Sequence, residues 1–417
     1  MSKIEINYSR TTSMSLNNEK LIQLANEFGT PLYVYDRSKI EEKYHKLTKA
    51  FAGQDVRFFY ACKALSNLNI LKVINKIGSG LDTVSINEIR LGLEAGFDPK
   101  QMIFTPNCVD FNEIKEAVEV GVHINIDNIS TLEQFGNHYG NSYPVIIRFN
   151  PHIMAGGNYN ISTGHIDSKF GISIHQLRHV LRIVKTLNIL VEGIHMHTGS
   201  EIKDMDVFLQ GLEVMLDVAR EFPNIKILDL GSGFKVPYKE DEKETDVFKL
   251  AEKIKTPIEE YKKETGVNLQ LWFEPGKYMV SESGQFIVKT NVIKPTPATV
   301  FVGINSGFNH LIRPMLYNAY HHIENISNPD GTERIYTIVG NLCETDTFAW
   351  DRMLNEVNEG DYLVFKNAGA YCFEMSMNYN ARCKPAEVLI DKNKSVLIRE
   401  RETLEDIQKN VIQVEIE

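Results

Sequence analysis

The sequence lacks the features that mark several large classes of protein. Its 417 residues include no block rich in Lys and Arg, and the formal net charge is −10 at pH 7, which argues against a general nucleic-acid binder. No uninterrupted apolar stretch reaches membrane-spanning length. The N-terminal segment MSKIEINYSRTTSMSLNNEK lacks the apolar core of a secretion signal. We therefore expect neither a nucleic-acid partner nor a membrane protein.

Cysteine is scarce and follows no recognisable pattern. The chain has 5 cysteines, at positions 62, 108, 343, 372 and 383, and no two of them show the short spacing of zinc ligands. An odd, scattered set is typical of reduced thiols, so we expect a cytoplasmic protein without disulfides.

Strand-like and helix-like segments alternate from residue 38 onward. Between the apolar runs lie amphipathic stretches whose apolar residues recur at steps of three and four, as helix faces require. The strand-like runs are VRFFYA (56–61), GLDTVS (80–85), MIFTP (102–106), HINID (123–127), VIIRF (145–149), VEGIHMH (191–197), IKILDL (225–230) and LQLWFEP (269–275). This alternation predicts an α/β fold, a (β/α)8 barrel over residues 38–280. A doubly wound open sheet is the alternative, but YACKAL after the first run is not the glycine-rich turn that such a sheet uses.

The pattern changes after residue 281. The segments GQFIVKTNVIK, ATVFVGI, ERIYTIVG, DYLVFKNAG and AEVLIDKNKSVLIRE read as strands with few helices between them. They predict a mainly β C-terminal domain, a β-sandwich or Greek-key barrel. We assign residues 281–417 and 1–37 to this domain, because PLYVYD (31–36) reads as a strand that precedes the barrel and could pair with it.

Polar side chains collect where the predicted barrel strands end. Active sites of such barrels are built at the carboxyl ends of the strands, so these side chains should share one rim. They are Lys63, Ser85, Arg148, Asn150, His195, His197, the turn Gly231, Ser232 and Gly233, and Glu274.

Three of these features point to one cofactor when they are taken together. Lys63 at a strand end could form a Schiff base, since a buried amine loses its proton readily, although a solvated surface lysine is the ordinary alternative. The Gly231–Gly233 turn offers backbone N–H groups to a phosphate, and Glu274 closes an apolar strand where an unpaired carboxylate is costly. Pyridoxal phosphate needs a lysine, a phosphate cradle and an acidic partner for its ring nitrogen. His197 is placed to cover the ring face.

The sequence HMH permits a metal site as a rival interpretation. Alternate residues of a strand point the same way, so His195 and His197 could bind one metal ion, as in barrel hydrolases. Such sites need further histidines or carboxylates at other strand ends, and no other predicted strand ends in histidine.

Seven motifs resemble, in order, the signatures of the fold-type III pyridoxal-phosphate decarboxylases, and most closely the diaminopimelate decarboxylases. The similarity runs from about Pro31 to Glu387. The motifs are YACKA (60–64), HMHTGSEI (195–202), LDLGSGF (228–234), EPGK (274–277), LIRPMLY (311–317), CETD (343–346) and NAGAYCFEMSMNYN (367–380).

The resemblance implies a role for each cofactor-binding residue. Lys63 would bind the cofactor covalently, His197 would stack on its ring, and Ser200 would lie near the phosphate. The cradle would be formed by Gly231, Ser232, Gly233 and Phe234. Glu274 would face the ring nitrogen, and Tyr371 of the second domain would complete the cofactor site.

The resemblance also implies a substrate site shared between two copies of the chain. Cys343 would be the acid that protonates the α-carbon, with the partner subunit supplying it in a homodimer; a thiol suits this task because its pKa is tunable near neutrality. Without the motif, Cys343 reads as a small buried hydrophobe and Arg313 as a rim salt bridge. The substrate would be bound by Lys277, Arg313, Tyr317, Glu344 and Tyr371.

The reaction implied is decarboxylation of meso-2,6-diaminopimelate to L-lysine, the last step of lysine biosynthesis. A related decarboxylase of ornithine, arginine or carboxynorspermidine is the alternative, but Arg313 and Glu344 favour a far end that carries both a carboxylate and an amine. A racemase and a non-catalytic homologue are further alternatives. The family usually has arginine where Lys277 stands, and lysine keeps the charge but loses the planar fork.

Overall fold

The structure is a computed structural model, and it describes residues 16–153, 168–199 and 205–416. Helix α1 (Asn18–Phe28) and strand β1 (Leu32–Asp36) come first, and helix α2 (Arg37–Ala50) leads into the barrel. Of the described helices, none is long and apolar enough to cross a membrane.

Eight parallel strands then close into a barrel, which confirms the predicted fold class. Hydrogen bonding runs in the order β5-β4-β3-β2-β10-β9-β8-β6, and pairing of β5 with β6 closes the ring. A short ninth strand, β7 (Ile172–Ser173), extends β6. The barrel strands are β2 (Val56–Ala61), β3 (Gly80–Thr83), β4 (Met102–Phe104), β5 (His123–Ile126), β6 (Val145–Asn150), β8 (Val191–His195), β9 (Ile227–Asp229) and β10 (Gln270–Phe273).

Helices follow the barrel strands in sequence, and polar side chains define where many of them begin. Asp110, Asn128 and Asp246 each accept a hydrogen bond from a backbone N–H of the first helical turn, which satisfies groups that a helix leaves unpaired. The barrel helices after α2 are α3 (Leu68–Lys76), α4 (Ile86–Glu94), α5 (Phe111–Val120), α6 (Ile129–Tyr139), α7 (Leu177–Thr186), α8 (Met205–Arg220) and α9 (Val247–Thr265).

The barrel interior is packed rather than hollow. Five buried side chains, each from a different strand, form one apolar cluster: Phe59, Ile103, Ile146, Ile227 and Trp272. Filling of this kind is general for eight-stranded barrels, so reactive groups can lie only at the ends of the strands.

The second domain is a mixed, nine-stranded sheet with three short helices. Its main path runs β15-β14-β12-β11-β1-β17-β18, and β13 and β16 pair alongside it. Its elements are α10 (Lys277–Val280), β11 (Gly284–Pro295), β12 (Val300–Ile304), α11 (Arg313–Tyr317), β13 (Ile323–Asn325), β14 (Glu333–Val339), β15 (Thr347–Asn355), β16 (Tyr362–Phe365), β17 (Ala386–Asp391), β18 (Lys394–Arg399) and α12 (Leu404–Gln408).

The strand that precedes the barrel lies inside this second sheet. Leu32 of β1 is opposite Ile287 of β11 in an antiparallel pair and opposite Ala386 of β17 in a parallel pair. The second sheet thus contains strands from before and after the barrel in the sequence. This pairing links the N-terminal segment to the C-terminal domain.

A buried carboxylate fixes the junction between the sheet and the barrel. Glu387 on β17 is fully buried, and it accepts hydrogen bonds from the Tyr35 hydroxyl at 2.7 Å, from the Asn67 amide at 2.9 Å and from Arg399. Asn67 caps helix α3 of the barrel. One acidic side chain therefore joins β1, β17, β18 and the start of a barrel helix.

We predict that Glu387→Ala lowers the free energy of unfolding by about 3 kcal/mol, because it leaves buried donors without their acceptor. The matched control is Glu116→Ala, which breaks a pair with Arg90 in which both side chains are exposed; we expect it to cost less than about 1 kcal/mol. Urea denaturation of both variants is the measurement. Equal losses would contradict the role of Glu387 as the link between the domains.

Candidate active site

A cavity of about 400 Å³ opens at the carboxyl ends of the barrel strands. Its wall contains most of the residues predicted to bind a cofactor, namely Lys63, His197, Ser232, Gly233, Phe234, Glu274 and Tyr371. It also contains Lys277, which was predicted to bind the substrate. A second cavity of about 380 Å³ lies at the opposite end, around Val56, Gly80 and Gln101 where strands begin. Barrel enzymes do not use that end for chemistry, so we place the candidate site in the first cavity.

Lys63 projects into this cavity from a short turn directly after β2. Its Nζ lies 2.8 Å from Oδ2 of the buried Asp82 on β3, and 42% of its side chain is accessible through the cavity. Burial by itself lowers the pKa of the Lys63 amine, but the nearby acidic groups, first Asp82 and then Tyr371 and Glu274, together outweigh this effect and raise that pKa above its usual value. The expectation that burial makes this amine lose its proton readily is therefore wrong for the chain alone, because Asp82 holds the charged form.

Glu274 reaches the same cavity from the end of β10. The backbone N–H of Ala61 bonds to the Pro275 carbonyl at 3.3 Å, so β2 and β10 bring Lys63 and Glu274 to one rim. Glu274 is buried, and its Oε2 lies 3.4 Å from Nε2 of His195. Burial opposes ionisation of Glu274, but the neighbouring His195 and the charge of Lys63 together outweigh it and hold the pKa of this carboxyl below its usual range. Glu274 is thus a carboxylate.

Asp229 lies beneath this pair and shapes the glycine turn. Its Oδ1 accepts the N–H of Gly231 at 2.8 Å. Burial, followed by the charge of Glu274, raises the pKa of Asp229. Among the described residues, His195, Asp229 and Glu274 form the group that could hold a metal ion. His197 is not part of it, which is against the pairing of His195 with His197 in the metal interpretation.

The turn after β9 needs glycine for a steric reason. Gly231 and Gly233 have φ angles of +61° and +136°, where residues with a side chain are strained. A Cβ atom at Gly231 would lie 2.6 Å from Nδ1 of His197. The Ser232 N–H donates to that same nitrogen at 3.2 Å. Because Nδ1 accepts, the ring of His197 is neutral, and burial, then Arg148, lowers its pKa to about 3.

The second domain contributes Tyr371, which docks on the turn that carries Lys63. Its backbone N–H donates to the Ala64 carbonyl at 2.9 Å, and its φ angle is +58°. A Cβ at Gly276 would lie 3.3 Å from the Tyr371 hydroxyl. The cavity is therefore closed on this side by a residue from the β domain.

Arg313 is buried immediately behind the cavity wall. Its Nη1 donates to the Tyr238 hydroxyl at 3.1 Å and to Nε2 of His321 at 3.0 Å, and Nδ1 of His321 donates to the Lys366 carbonyl at 2.9 Å. The Tyr238 ring centre lies 4.9 Å from the Arg313 guanidinium carbon and 5.9 Å from Nζ of Lys277. One tyrosine thus stands between the two cations predicted to bind the substrate.

The other predicted residues fall into three groups. Cys343 and Glu344 are exposed and do not line the cavity, and Tyr317 lies on α11 with its hydroxyl 4.0 Å from the sulfur of Met375. Ser85 lies beyond the end of β3 and does not line the cavity; it caps α4 by accepting the N–H of Glu88. Ser200 lies outside the described residues.

Four residues of the site were not predicted from the sequence: Asp82, Asp229, Tyr238 and His321. Asp82 lies within GLDTVS, where inward-facing alternation could have indicated it. Arg148 was predicted at the rim but without a role. Tyr238 and His321 lie in irregular segments that carry no periodic signal.

Comparison with known proteins agrees with this geometry. Residues 37–281 match the family model described as pyridoxal-dependent decarboxylase, pyridoxal binding domain. The diaminopimelate decarboxylase of Methanothermobacter thermautotrophicus is 39% identical over 396 residues, 93% of this chain and 92% of that protein. The Pseudomonas aeruginosa protein of the same name is 36% identical, over 93% of this chain and 94% of its own length.

Comparison with a solved structure shows the same similarity in three dimensions. The diaminopimelate decarboxylase of Helicobacter pylori, complexed with L-lysine, superposes with a TM-score of 0.85 at 31% identity and covers 94% of this chain and 98% of that one. The chain belongs to the diaminopimelate decarboxylase family of pyridoxal-dependent decarboxylases. Membership predicted from the seven motifs is thereby confirmed.

We predict a pH dependence of stability from His321, which is buried and accepts from Arg313. Burial, followed by the charge of Arg313, lowers its pKa from 6.5 to about 3. The unfolded chain therefore binds this proton below pH 6.5 and the folded chain does not, so the contribution is complete above pH 6.5 and is lost as the pH falls. His321→Gln should flatten the acid loss by roughly 1.4 kcal/mol per pH unit below 6.5.

The control is the adjacent His322, whose side chain is 38% exposed. Urea denaturation of His321→Gln and His322→Gln between pH 7 and pH 5 compares the two positions. A parallel pH profile for the wild type and His321→Gln would show that His321 is not held neutral in the folded protein.

Proposed function

We propose that this protein is a pyridoxal-phosphate-dependent decarboxylase that converts meso-2,6-diaminopimelate to L-lysine and carbon dioxide. The observation that supports it most directly is that Lys63, Glu274 and the Ser232–Phe234 part of the glycine turn line one cavity. Of the sister reactions, family membership and the L-lysine complex of the Helicobacter pylori relative favour this one.

The cavity fits the cofactor. The Gly231 turn leaves no room for a side chain beside His197, so the backbone can approach a phosphate closely. Because the N–H groups of Gly231 and Ser232 donate to Asp229 and His197, those of Gly233 and Phe234 would be the ones to meet the phosphate. Bound pyridoxal phosphate supplies a ring that accepts the electrons released when a bond at the substrate α-carbon breaks. The residues that would hold it are Lys63, His197, Gly231, Ser232, Gly233, Phe234, Glu274 and Tyr371.

Side chains of this protein set the hydrogen bonds and charges around the cofactor site. Lys63 would hold the cofactor through its amine, which donates a hydrogen bond to Oδ2 of Asp82 at 2.8 Å. Glu274, whose pKa is lowered by His195 and Lys63, would accept a hydrogen bond from a protonated ring nitrogen. Neutral His197 presents an uncharged ring to the cavity, because its Nδ1 is committed to the Ser232 N–H.

The far end of the substrate would meet the cations that surround Tyr238. Lys277 lines the cavity, and Arg313 is held behind it by Tyr238 and His321. Arginine binds a carboxylate through two parallel N–H groups, whereas Lys277 acts as a point charge. A diamine-forming relative has no far carboxylate to bind, so these two cations favour diaminopimelate over ornithine. Tyr317 and Glu344 would complete this end.

The position of Cys343 supports a homodimer with shared sites. Cys343 is exposed and is not part of the wall of its own chain's cavity. If its thiol returns the proton to the α-carbon, a second copy must bring it there. We therefore propose a two-fold dimer in which each cavity combines Lys63 of one copy with Cys343 of the other. A cytoplasmic location fits the five free cysteines.

We predict that Lys63→Ala abolishes the visible absorbance of the bound cofactor, because no other described lysine replaces Nζ beside Asp82. Lys63→Arg keeps the positive charge but cannot bond to an aldehyde, so it should lose the band as well. Lys39→Ala, at an exposed ion pair with Glu42, should keep it. The absorbance spectrum of each purified protein is the measurement, and an unchanged band in Lys63→Ala would refute the assignment.

We predict that Lys63→Ala and Cys343→Ala restore activity to each other when they are co-expressed. Each variant alone should be nearly inactive, but half of a random dimer mixture carries one intact site, giving about a quarter of wild-type activity if sites are shared. The measurement is carbon dioxide release from meso-diaminopimelate by the mixed and the separate variants. Activity of the mixture no higher than that of either variant alone would exclude a shared site.

A further inference from the structure

The surroundings of Cys343 are organised even though the residue is exposed. Its Sγ lies 3.1 Å from Nδ2 of Asn380 and 3.6 Å from the hydroxyl of Tyr379, while its backbone N–H donates to Oδ1 of Asn380 at 3.0 Å. One amide side chain therefore contacts both the backbone and the thiol of the same cysteine. This double contact fixes where the sulfur points.

Asn380 occupies a backbone conformation that few residues tolerate. Its φ and ψ are +57° and +28°, and the following Ala381 also has a positive φ of +53°. Asparagine adopts this left-handed region more readily than most residues. Two successive residues in this region bend the chain sharply after Tyr379, and the bend carries the Asn380 amide to Cys343.

Tyr379 is held beside the sulfur from two directions. Its ring stacks on Phe308 with ring centres 5.6 Å apart and planes inclined by 20°, and its hydroxyl donates to Oε1 of Glu344 at 2.7 Å. Because the hydroxyl proton goes to Glu344, its oxygen accepts the S–H of Cys343. When the thiol gives up its proton, the hydroxyl can turn from Glu344 to the sulfur.

The loop that carries Cys343 is itself fixed by Asp346, the last residue of the CETD motif. This buried carboxylate accepts the N–H of Phe308 at 2.7 Å and that of Leu342 at 3.1 Å. The ring that supports Tyr379 and the backbone that precedes Cys343 are thereby held by one side chain. The thiol, its two polar neighbours and their support form a single unit.

We propose that Asn380 and Tyr379 are positioning residues that aim the Cys343 thiol and stabilise its deprotonated form, so that it serves as the proton donor. This inference rests on the proposed function, in which Cys343 protonates the α-carbon. The Asn380 N–H and the Tyr379 hydroxyl can both donate to a thiolate, which makes the thiol a stronger acid. In agreement, hydrogen bonds from Tyr379 and then Asn380 lower the pKa of Cys343.

The test is the pH dependence of Cys343 alkylation in the cofactor-loaded protein. Iodoacetamide reacts with thiolates, and peptide mass spectrometry reports each cysteine separately, with the exposed Cys108 as an internal reference. Asn380→Asp keeps the oxygen that accepts the Cys343 N–H and tolerates the backbone bend, but it replaces the donor with a negative charge. We expect the alkylation midpoint of Cys343 to rise by about 1 pH unit or more while that of Cys108 stays unchanged.

A second variant separates the hydroxyl from the packing around it. Tyr379→Phe keeps the stack on Phe308 and should also raise the midpoint of Cys343. The control is Tyr362→Phe, which removes another exposed tyrosine hydroxyl, bonded to Asn26 at 2.8 Å, and should leave the midpoint unchanged. In both test variants turnover should fall roughly tenfold or more with the cofactor absorbance intact.

An unchanged alkylation midpoint in both Asn380→Asp and Tyr379→Phe would overturn the inference. This outcome differs from failure of the proposed function, which would show as absence of decarboxylation in the wild type. A shift of the midpoint with no loss of turnover would also contradict the inference, because the aimed thiol would then not be the proton donor.

Discussion

Closure of the parallel barrel between β2 and β10 is the constraint on which the rest of the site depends. The bond from the Ala61 N–H to the Pro275 carbonyl brings the last strand beside the first, although more than 200 residues separate them in the chain. Lys63 and Glu274 meet only because of this pairing. The packed interior below them leaves the strand ends as the place where polar groups can gather.

Each charged group at this rim has a neighbouring group that offsets the cost of removing it from water. Asp82 keeps Lys63 protonated, His195 keeps Glu274 ionised, and Asp229 beside Glu274 has a raised pKa. Burying carboxylates such as Asp82, Asp229 and Glu274 is costly unless they are paired. Their concentration at one end of an otherwise apolar barrel is therefore better explained by chemistry than by stability.

Much of the fold could be predicted because the strand and helix periodicities are strong and local. The run VRFFYA coincides with β2 residue for residue, whereas IKILDL is longer than β9 at both ends. Ser85 was misplaced for the same reason, since the apolar run continues past the end of β3 into the cap of a helix. Lys63 and Glu274 could be predicted because the carboxyl ends of all strands in a parallel barrel lie at the same rim.

The remaining parts of the site depend on contacts between distant positions. The hydrogen bonding of Lys63 depends on Asp82, 19 residues away, and that of Arg313 depends on Tyr238 and His321, which lie in irregular segments. Neither segment has a periodic pattern that indicates where its side chains point. The backbone bend that brings the Asn380 side chain to Cys343 likewise could not be predicted from the sequence NYNA (378–381).

The most direct test of the central claim is carbon dioxide release by the purified, cofactor-loaded protein with four substrates offered separately: meso-diaminopimelate, ornithine, arginine and carboxynorspermidine. We expect L-lysine as the product and a preference for meso-diaminopimelate of at least roughly a hundredfold, because Arg313 and Lys277 provide for a far carboxylate that the other amines do not present in the same place. Equal or faster carbon dioxide release from ornithine would contradict the substrate assignment. No release from any of the four substrates would contradict the assignment of the protein as a decarboxylase.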